Sequence, residues 1–245
     1  MTKIDNVVPG EKWEFDESVA DCFSNMLSRS IPQYDVMRET SANLTKDIIT
    51  QNNAYRDFNI LDIGCSDGLM IQTMLQKLKG NKGRILGVDV SEPMLKKAEE
   101  RFALNNDVSS ISVSIKNCDL RYAFPKNDYD VITSILSIQF IPIEYRQTIL
   151  QNIYDNLCPG GAFIFVEKVL GNTAELNKLF VKEYYDLKKE NGYSEEQIER
   201  KRLSLEGVLV PVTSDWNKSL LQQAGFRQID DFWRWMNFVG YIAIK

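Results

Sequence analysis

The sequence predicts an α/β fold, a doubly wound and mostly parallel sheet with helices on both faces. Three observations predict it. Short apolar runs alternate with helical stretches between residues 59 and 166, and strands that alternate with helices pair in parallel. A loop with glycines at Gly64 and Gly68 leaves the first of these strands and enters a helix. Two further apolar runs near the end of the chain read as closing strands.

The elements follow in order. Met1 to Glu14 is polar and is expected to be loose. Phe15 to Ser30 places Val19, Phe23, Met26 and Leu27 on one helical face, and Pro32 ends it. A second helix runs from about Tyr34 to Gln51. Asn59 to Ile63 is the first strand, and Gly68 to Leu78 the helix after it. Arg84 to Val90 is a strand and Glu92 to Leu104 a helix. Ile111 to Ile115 and Asp130 to Ser134 are further strands. Ile143 to Leu157 is amphipathic, with Ile143, Ile149, Leu150, Ile153 and Leu157 in step. Pro159-Gly160-Gly161 is expected to break it before the apolar strand Ala162 to Val166. Glu175 to Glu190 and Ser194 to Leu205 read as helices separated by Asn191-Gly192. Ser214 to Ala224 is a helix that Gly225 ends. Phe226 to Phe232 and Phe238 to Ile244 are the closing strands. No linker divides the chain, so residues 1–245 are expected to form one domain.

Composition narrows the function. Hydrophobic residues make up 44% of 245, enough for a sizeable core. The net charge of −5 argues against a general duplex-binding surface, which needs clustered Lys and Arg. No apolar run has the length of a membrane span, and Met1 to Gly10 lacks the regions of a signal peptide. Cys22, Cys65, Cys118 and Cys158 are widely spaced, which suits reduced thiols and a cytoplasmic protein. The chain has no histidine. Ser-His and Cys-His nucleophilic pairs are therefore absent, and no catalytic zinc site is expected.

The loop Asp62-Ile63-Gly64-Cys65-Ser66-Asp67-Gly68 is the most informative segment. It sits where a doubly wound sheet binds its ligand. Gly64 allows a tight turn, Gly68 allows close packing of the next helix, and free amides at that helix start suit a carboxylate. Asp62 suits an ammonium group. Asp89 ends the next strand, where an acid accepts both hydroxyls of a ribose. Asp119 follows the third strand, placed to meet an adenine amino group while Leu120 packs on its ring. Each acid is also a candidate helix cap, and a glycine pair alone marks only a turn. The nicotinamide fingerprint is not met, because Ser66 stands where its second glycine belongs. Arg200-Lys201-Arg202 reads first as a solvated helix face. Trp233, Trp235 and Tyr241 read first as a sheet edge or subunit face, with base stacking as the alternative.

These residues resemble a known group. The loop Asp62 to Gly68, with Asp89 and Asp119, resembles the class I methyltransferases. That resemblance implies a Rossmann-like, seven-stranded sheet with extra N-terminal and late-chain helices. Further motifs resemble the carboxy-S-adenosylmethionine synthase family over nearly the whole chain. They are Phe15-Asp16-Glu17, Arg29-Ser30-Ile31-Pro32-Gln33-Tyr34, Gln139-Phe140-Ile141-Pro142, Gly160-Gly161-Ala162 and Glu167-Lys168. Asn191-Gly192-Tyr193-Ser194, Lys201-Arg202, Leu205-Glu206, Ala224-Gly225-Phe226 and Asn237-Phe238 follow in the same order.

The resemblance implies conversion of S-adenosylmethionine and prephenate to carboxy-S-adenosylmethionine and phenylpyruvate, for modification of the wobble uridine in tRNA. It implies that Arg202 holds the new carboxylate. It places Tyr34, Asp62, Gly64, Cys65, Ser66, Asp89, Val90, Asp119, Leu120 and Ile135 around the cofactor. It also implies a homodimer, with no direct nucleic-acid or membrane contact. Ile135 and Val90 depart from the family pattern, which carries asparagine at both. Two other readings stay open: a methyltransferase acting on a small molecule, and a cofactor-binding protein without catalysis.

Overall fold

A computed structural model describes residues 4–7, 9–52, 56–103 and 110–245. Helix α1, Glu17–Ser30, begins where the Asp16 side chain accepts from the Val19 amide, so an acid serves the free amides of the first turn. Helix α2 is Tyr34–Asn52. Strand β1, Phe58–Ile63, leads into α3, Leu69–Lys77, and β2, Gly83–Asp89, into α4, Glu92–Ala103. The expected end of that helix, Leu104, lies outside the described residues. Strands β3, Ile111–Asn117, and β4, Tyr129–Ile135, follow, then α5, Ile143–Asn156, and β5, Leu157–Leu170. Helices α6, Ala174–Glu190, and α7, Glu195–Ser204, come next, the latter opened by a reciprocal Ser194–Gln197 capping box. The chain ends in β6, Val212–Thr213, α8, Ser214–Ala224, β7, Gln228–Trp235, and β8, Phe238–Ile244.

The sheet runs β3-β2-β1-β4-β5-β8-β7, and the short β6 pairs beside β5. Strands β1 to β5 are mutually parallel where they pair, while β8 is antiparallel to both neighbours. The seven strands of the main path are the number expected. The strand order reverses between β1 and β4, and such a switch opens a crevice at the carboxyl ends of the strands. One core layer holds Ile153, Phe163, Phe165 and Leu221, and another holds Ile49, Ile60, Ile71 and Ile164, with the sheet between them. Ile164 is flanked by Phe163 and Phe165, and alternation along one strand sends neighbours to opposite faces.

Two expectations are corrected. Pro159-Gly160-Gly161 does not separate a helix from a strand, because it lies inside β5. Gly160 donates to the Lys245 carbonyl and Gly161 accepts from the Lys245 amide, so the chain end holds this segment in extended form. Among the described residues, the opening is held in place at Asp5 and Trp13. Trp13 and Asp5 are buried, and the Trp13 amide donates to the Ser204 carbonyl at 2.8 Å. At the aromatic end, Tyr241 is wholly buried and stacks on Phe165, and the Trp233 indole donates to Gln33, which suits the first reading, a sheet edge, over base stacking.

Candidate functional site

A cavity of about 360 Å³ opens over the switch between β1 and β4, within the size range of small-molecule sites. All ten residues expected around a cofactor line it. Gly64 lines it, and Gly68 precedes the helix that follows. Gly64 has φ +65, and a Cβ there would meet Ser137 Oγ at 1.9 Å. Gly68 has φ +79, and a Cβ would press into the Phe102 ring at 2.6 Å. Only glycine satisfies both the left-handed backbone and the close approach.

The acids occupy distinct states. Asp62 is buried and accepts from Thr133 Oγ1 at 2.6 Å through one oxygen, while its other oxygen has no partner. Burial pushes its carboxyl up to about 7. An unpartnered buried oxygen facing a cavity is where an ammonium fits. Asp89 accepts from the amides of Val90 (2.7 Å), Ser91 (2.9 Å) and Ser66 (3.0 Å). It therefore ties the glycine loop to β2 besides presenting a carboxylate to the cavity. Ser66 adopts φ +52, and its hydroxyl lacks a partner. Asp119 accepts from Arg121 Nε at 2.9 and 3.0 Å, which holds its carboxyl below the usual range. An adenine amino group there would share this carboxylate with Arg121.

The apolar lining is equally defined. Leu120 is buried, and the Cys65 side chain packs inward, with its thiol pushed up by burial. Val90 is exposed at the rim. Ile135 ends β4, and Leu136 after it takes φ +57, its amide donating to the Val166 carbonyl at 2.8 Å. Tyr34 is buried, its phenol pushed up by burial. Trp13, Phe15, Phe23 and Phe140 close one wall through edge-to-face contacts.

Arg202 stands apart from these residues. It does not line the cavity. Its guanidinium is exposed and binds Glu199 at 2.7 Å, with Glu206 at 4.0 Å. Lys201 lines the cavity instead, together with Lys168. Neighbours on a helix point about 100° apart, so only one of the pair can face inward. The sequence contained a signal for Lys168, in Glu167-Lys168, but gave it no role. Gln139, also in the lining, accepts from the Lys168 amide at 2.8 Å and so fixes the strand there.

A profile described as a methyltransferase domain matches residues 60–161. Carboxy-S-adenosyl-L-methionine synthase of Methylococcus capsulatus is 36% identical over 94% of this chain and 93% of its own. The enzyme of the same name from Wolinella succinogenes is 35% identical over 96% and 94%. Among solved structures, the CurJ carbon methyltransferase superposes with TM-score 0.66 at 15% identity, over 94% of this chain and 61% of its own. Human N-acetylserotonin methyltransferase, solved in complex with SAM, gives 0.59 at 14% identity, over 94% and 55%. These likenesses show the class I methyltransferase fold.

Proposed function

The chain belongs to the carboxy-S-adenosyl-L-methionine synthase family, and from that premise we propose that it converts S-adenosylmethionine and prephenate to carboxy-S-adenosylmethionine and phenylpyruvate. The observation that carries the reading is the unpartnered Asp62 oxygen in the cavity over the strand-order switch. Asp62 would hold the ammonium of the methionine moiety, Asp89 the ribose, and Asp119 with Leu120 the adenine. Gly64 and Ser66 would let the backbone come close. Ile135 would supply an apolar contact where the family pattern has an amide.

When bound, S-adenosylmethionine supplies a sulfonium that acidifies its attached methyl group. The chain has no histidine to act as base. The reaction balances without one: prephenate leaves as phenylpyruvate after losing carbon dioxide and hydroxide. The hydroxide takes the proton as water, and the carbon dioxide becomes the new carboxyl group. The residues' work is to bind, orient and exclude water. The aromatic wall of Trp13, Phe15, Phe23 and Phe140 serves exclusion. In the same reading the protein is a cytoplasmic homodimer whose product is used in wobble-uridine modification of tRNA.

Arg202 remains a proposed grip for the new carboxylate. Its ion pairs are exposed and screened by solvent, so they do not lock the guanidinium in place. The test is turnover of S-adenosylmethionine with prephenate, read by mass spectrometry of the nucleoside product and by phenylpyruvate release. Wild type should give both products. Arg202→Leu should weaken carboxy-S-adenosylmethionine at least about tenfold more than S-adenosylmethionine. Tight S-adenosylmethionine binding with neither product would replace this reading with the methyltransferase one. Equal affinities in Arg202→Leu and wild type would return Arg202 to the solvated face.

A further inference from the structure

The cavity carries two cations that the cofactor assignment leaves unused. Lys168 comes from β5 and Lys201 from α7, and both line the cavity. Lys168 Nζ sits 4.6 Å from the Tyr184 ring centre, and Lys201 Nζ 4.5 Å from that of Trp13. Among the described residues neither ammonium makes a hydrogen bond or a salt bridge, and only Lys201 has a carboxylate, that of Asp5, near enough to act on it. Burial pushes both amines down to about 8. Lys201 also feels Asp5, Cys22 and Arg29, whereas burial is the sole cause at Lys168. Behind them, buried Lys188 lies over Tyr184 at 5.5 Å and Tyr193 at 5.2 Å. Burial, then Lys201 and Lys168, push it down to about 7.

Ring faces alone do not account for this grouping. A cation over an aromatic ring gains far less than taking an ammonium out of water without an ion pair costs. Clustered like charges raise that cost. An anion resolves it. The sheet also separates the two polarities. Asp89 ends β2 and Asp119 follows β3, whereas Lys168 is on β5. Three strand steps lie between β2 and β5, roughly 14 Å at about 4.8 Å per strand. One end of the cavity is acidic, suited to a cationic nucleoside, and the other is basic.

We propose that Lys168 and Lys201 are the seat of the anionic co-substrate, receiving the carboxylate groups of a dicarboxylic acid whose ring lies against Tyr184 and Trp13. The identity of that acid as prephenate rests on the carboxylation reading above, and the test separates the two.

The experiment uses the full chain loaded with S-adenosylhomocysteine. Calorimetry measures prephenate affinity in wild type, Lys168→Met, Lys201→Met and Lys168→Arg, with inorganic phosphate as a second probe. Methionine keeps the aliphatic stem and removes an unpaired buried charge, so these variants should fold with an unchanged or higher Tm. Each should weaken prephenate at least about tenfold and leave S-adenosylmethionine within about twofold. Lys168→Arg should retain part of the affinity. Equal weakening of both ligands would make the lysines scaffold, and undiminished prephenate binding would overturn the site. Wild type that binds phosphate but no prephenate would overturn the dicarboxylate assignment. Prephenate binding that depends on the lysines, without carboxylated product, would keep the site and sink the reaction.

Discussion

Asp62 illustrates how one residue trades stability for binding. Its carboxyl is buried, half-satisfied by Thr133 and pushed up to about 7. A folded protein carries such a group at a cost unless a ligand completes it. Asp62→Asn keeps the size and removes the charge. Cofactor affinity should fall by at least about tenfold, since a charge-assisted bond is worth roughly 1.5–3 kcal/mol. The unliganded Tm should hold or rise. Calorimetry and thermal melts on one preparation check both, and a lowered Tm with unchanged affinity would make Asp62 purely structural. The residues after strand ends were legible because the loop fixes where they point: Gly64, Ser66, Asp89 and Asp119 all reach the cavity. Arg202 was not, because helical phase decides which of Lys201 and Arg202 faces inward. That phase follows from how α7 packs on Trp13, a contact 188 residues away in sequence (201 − 13).

At the scale of elements, residues 9–16 act as a strap across the cavity. Trp13 is buried under Lys201 and joined to Ser204, while the Phe15 carbonyl accepts from Ser91 Oγ at 2.6 Å. Trp13→Ala removes a buried indole, a change that costs about 3–5 kcal/mol in a core. Here the loss should stay local, because this segment adds no strand to the sheet and can open without it. We expect faster proteolytic cleavage before α1 and weaker cofactor binding, with a smaller change in Tm. Limited proteolysis checks this, and an unchanged cleavage rate would show that Trp13 does not hold the strap. The sequence concealed this role, because nine of the first fourteen residues read as polar or turn-forming and a single tryptophan has no periodicity. The repeating elements were plain. Alternation of apolar runs and helical faces gave β1 to β5 and their helices to within a few residues, except where Gly160 and Gly161 suggested a break. Pairing with Lys245 overrode that local signal.

For the whole molecule, the buried charges shape the response to pH. Asp62 and Glu167 are pushed up by burial, to about 7 and about 8. Between pH 4 and those values the folded state keeps protons that the unfolded chain has lost, so stability falls as pH rises. Lys188 is pushed down to about 7, and Lys168 and Lys201 to about 8, from 10.5. Above those values the unfolded chain holds protons that the folded lysines have released, so stability rises with pH. Buried thiols and phenols, whose folded values are raised, oppose this above about pH 9. The unliganded protein should therefore be least stable near pH 7–8 and recover toward pH 9. Melts at pH 6, 7.5 and 9 test it. A steady decline from pH 6 to 9 would mean the lysines are not held as buried free amines, and Lys188→Met should flatten the recovery.

The cavity draws its two ends from different stretches of chain. Asp62, Gly64, Ser66, Asp89 and Asp119 lie within the loops of β1 to β3, whereas Trp13, Lys168 and Lys201 come from before and after them. Mutational drift can therefore alter what the basic end accepts while the nucleoside cradle stays intact. A protein built this way can acquire new co-substrates by exchanging its strap and its α6–α7 insertion, much as one handle takes several tools. The Gly64 turn, blocked by Ser137 against any side chain, is the part that such exchange must leave alone.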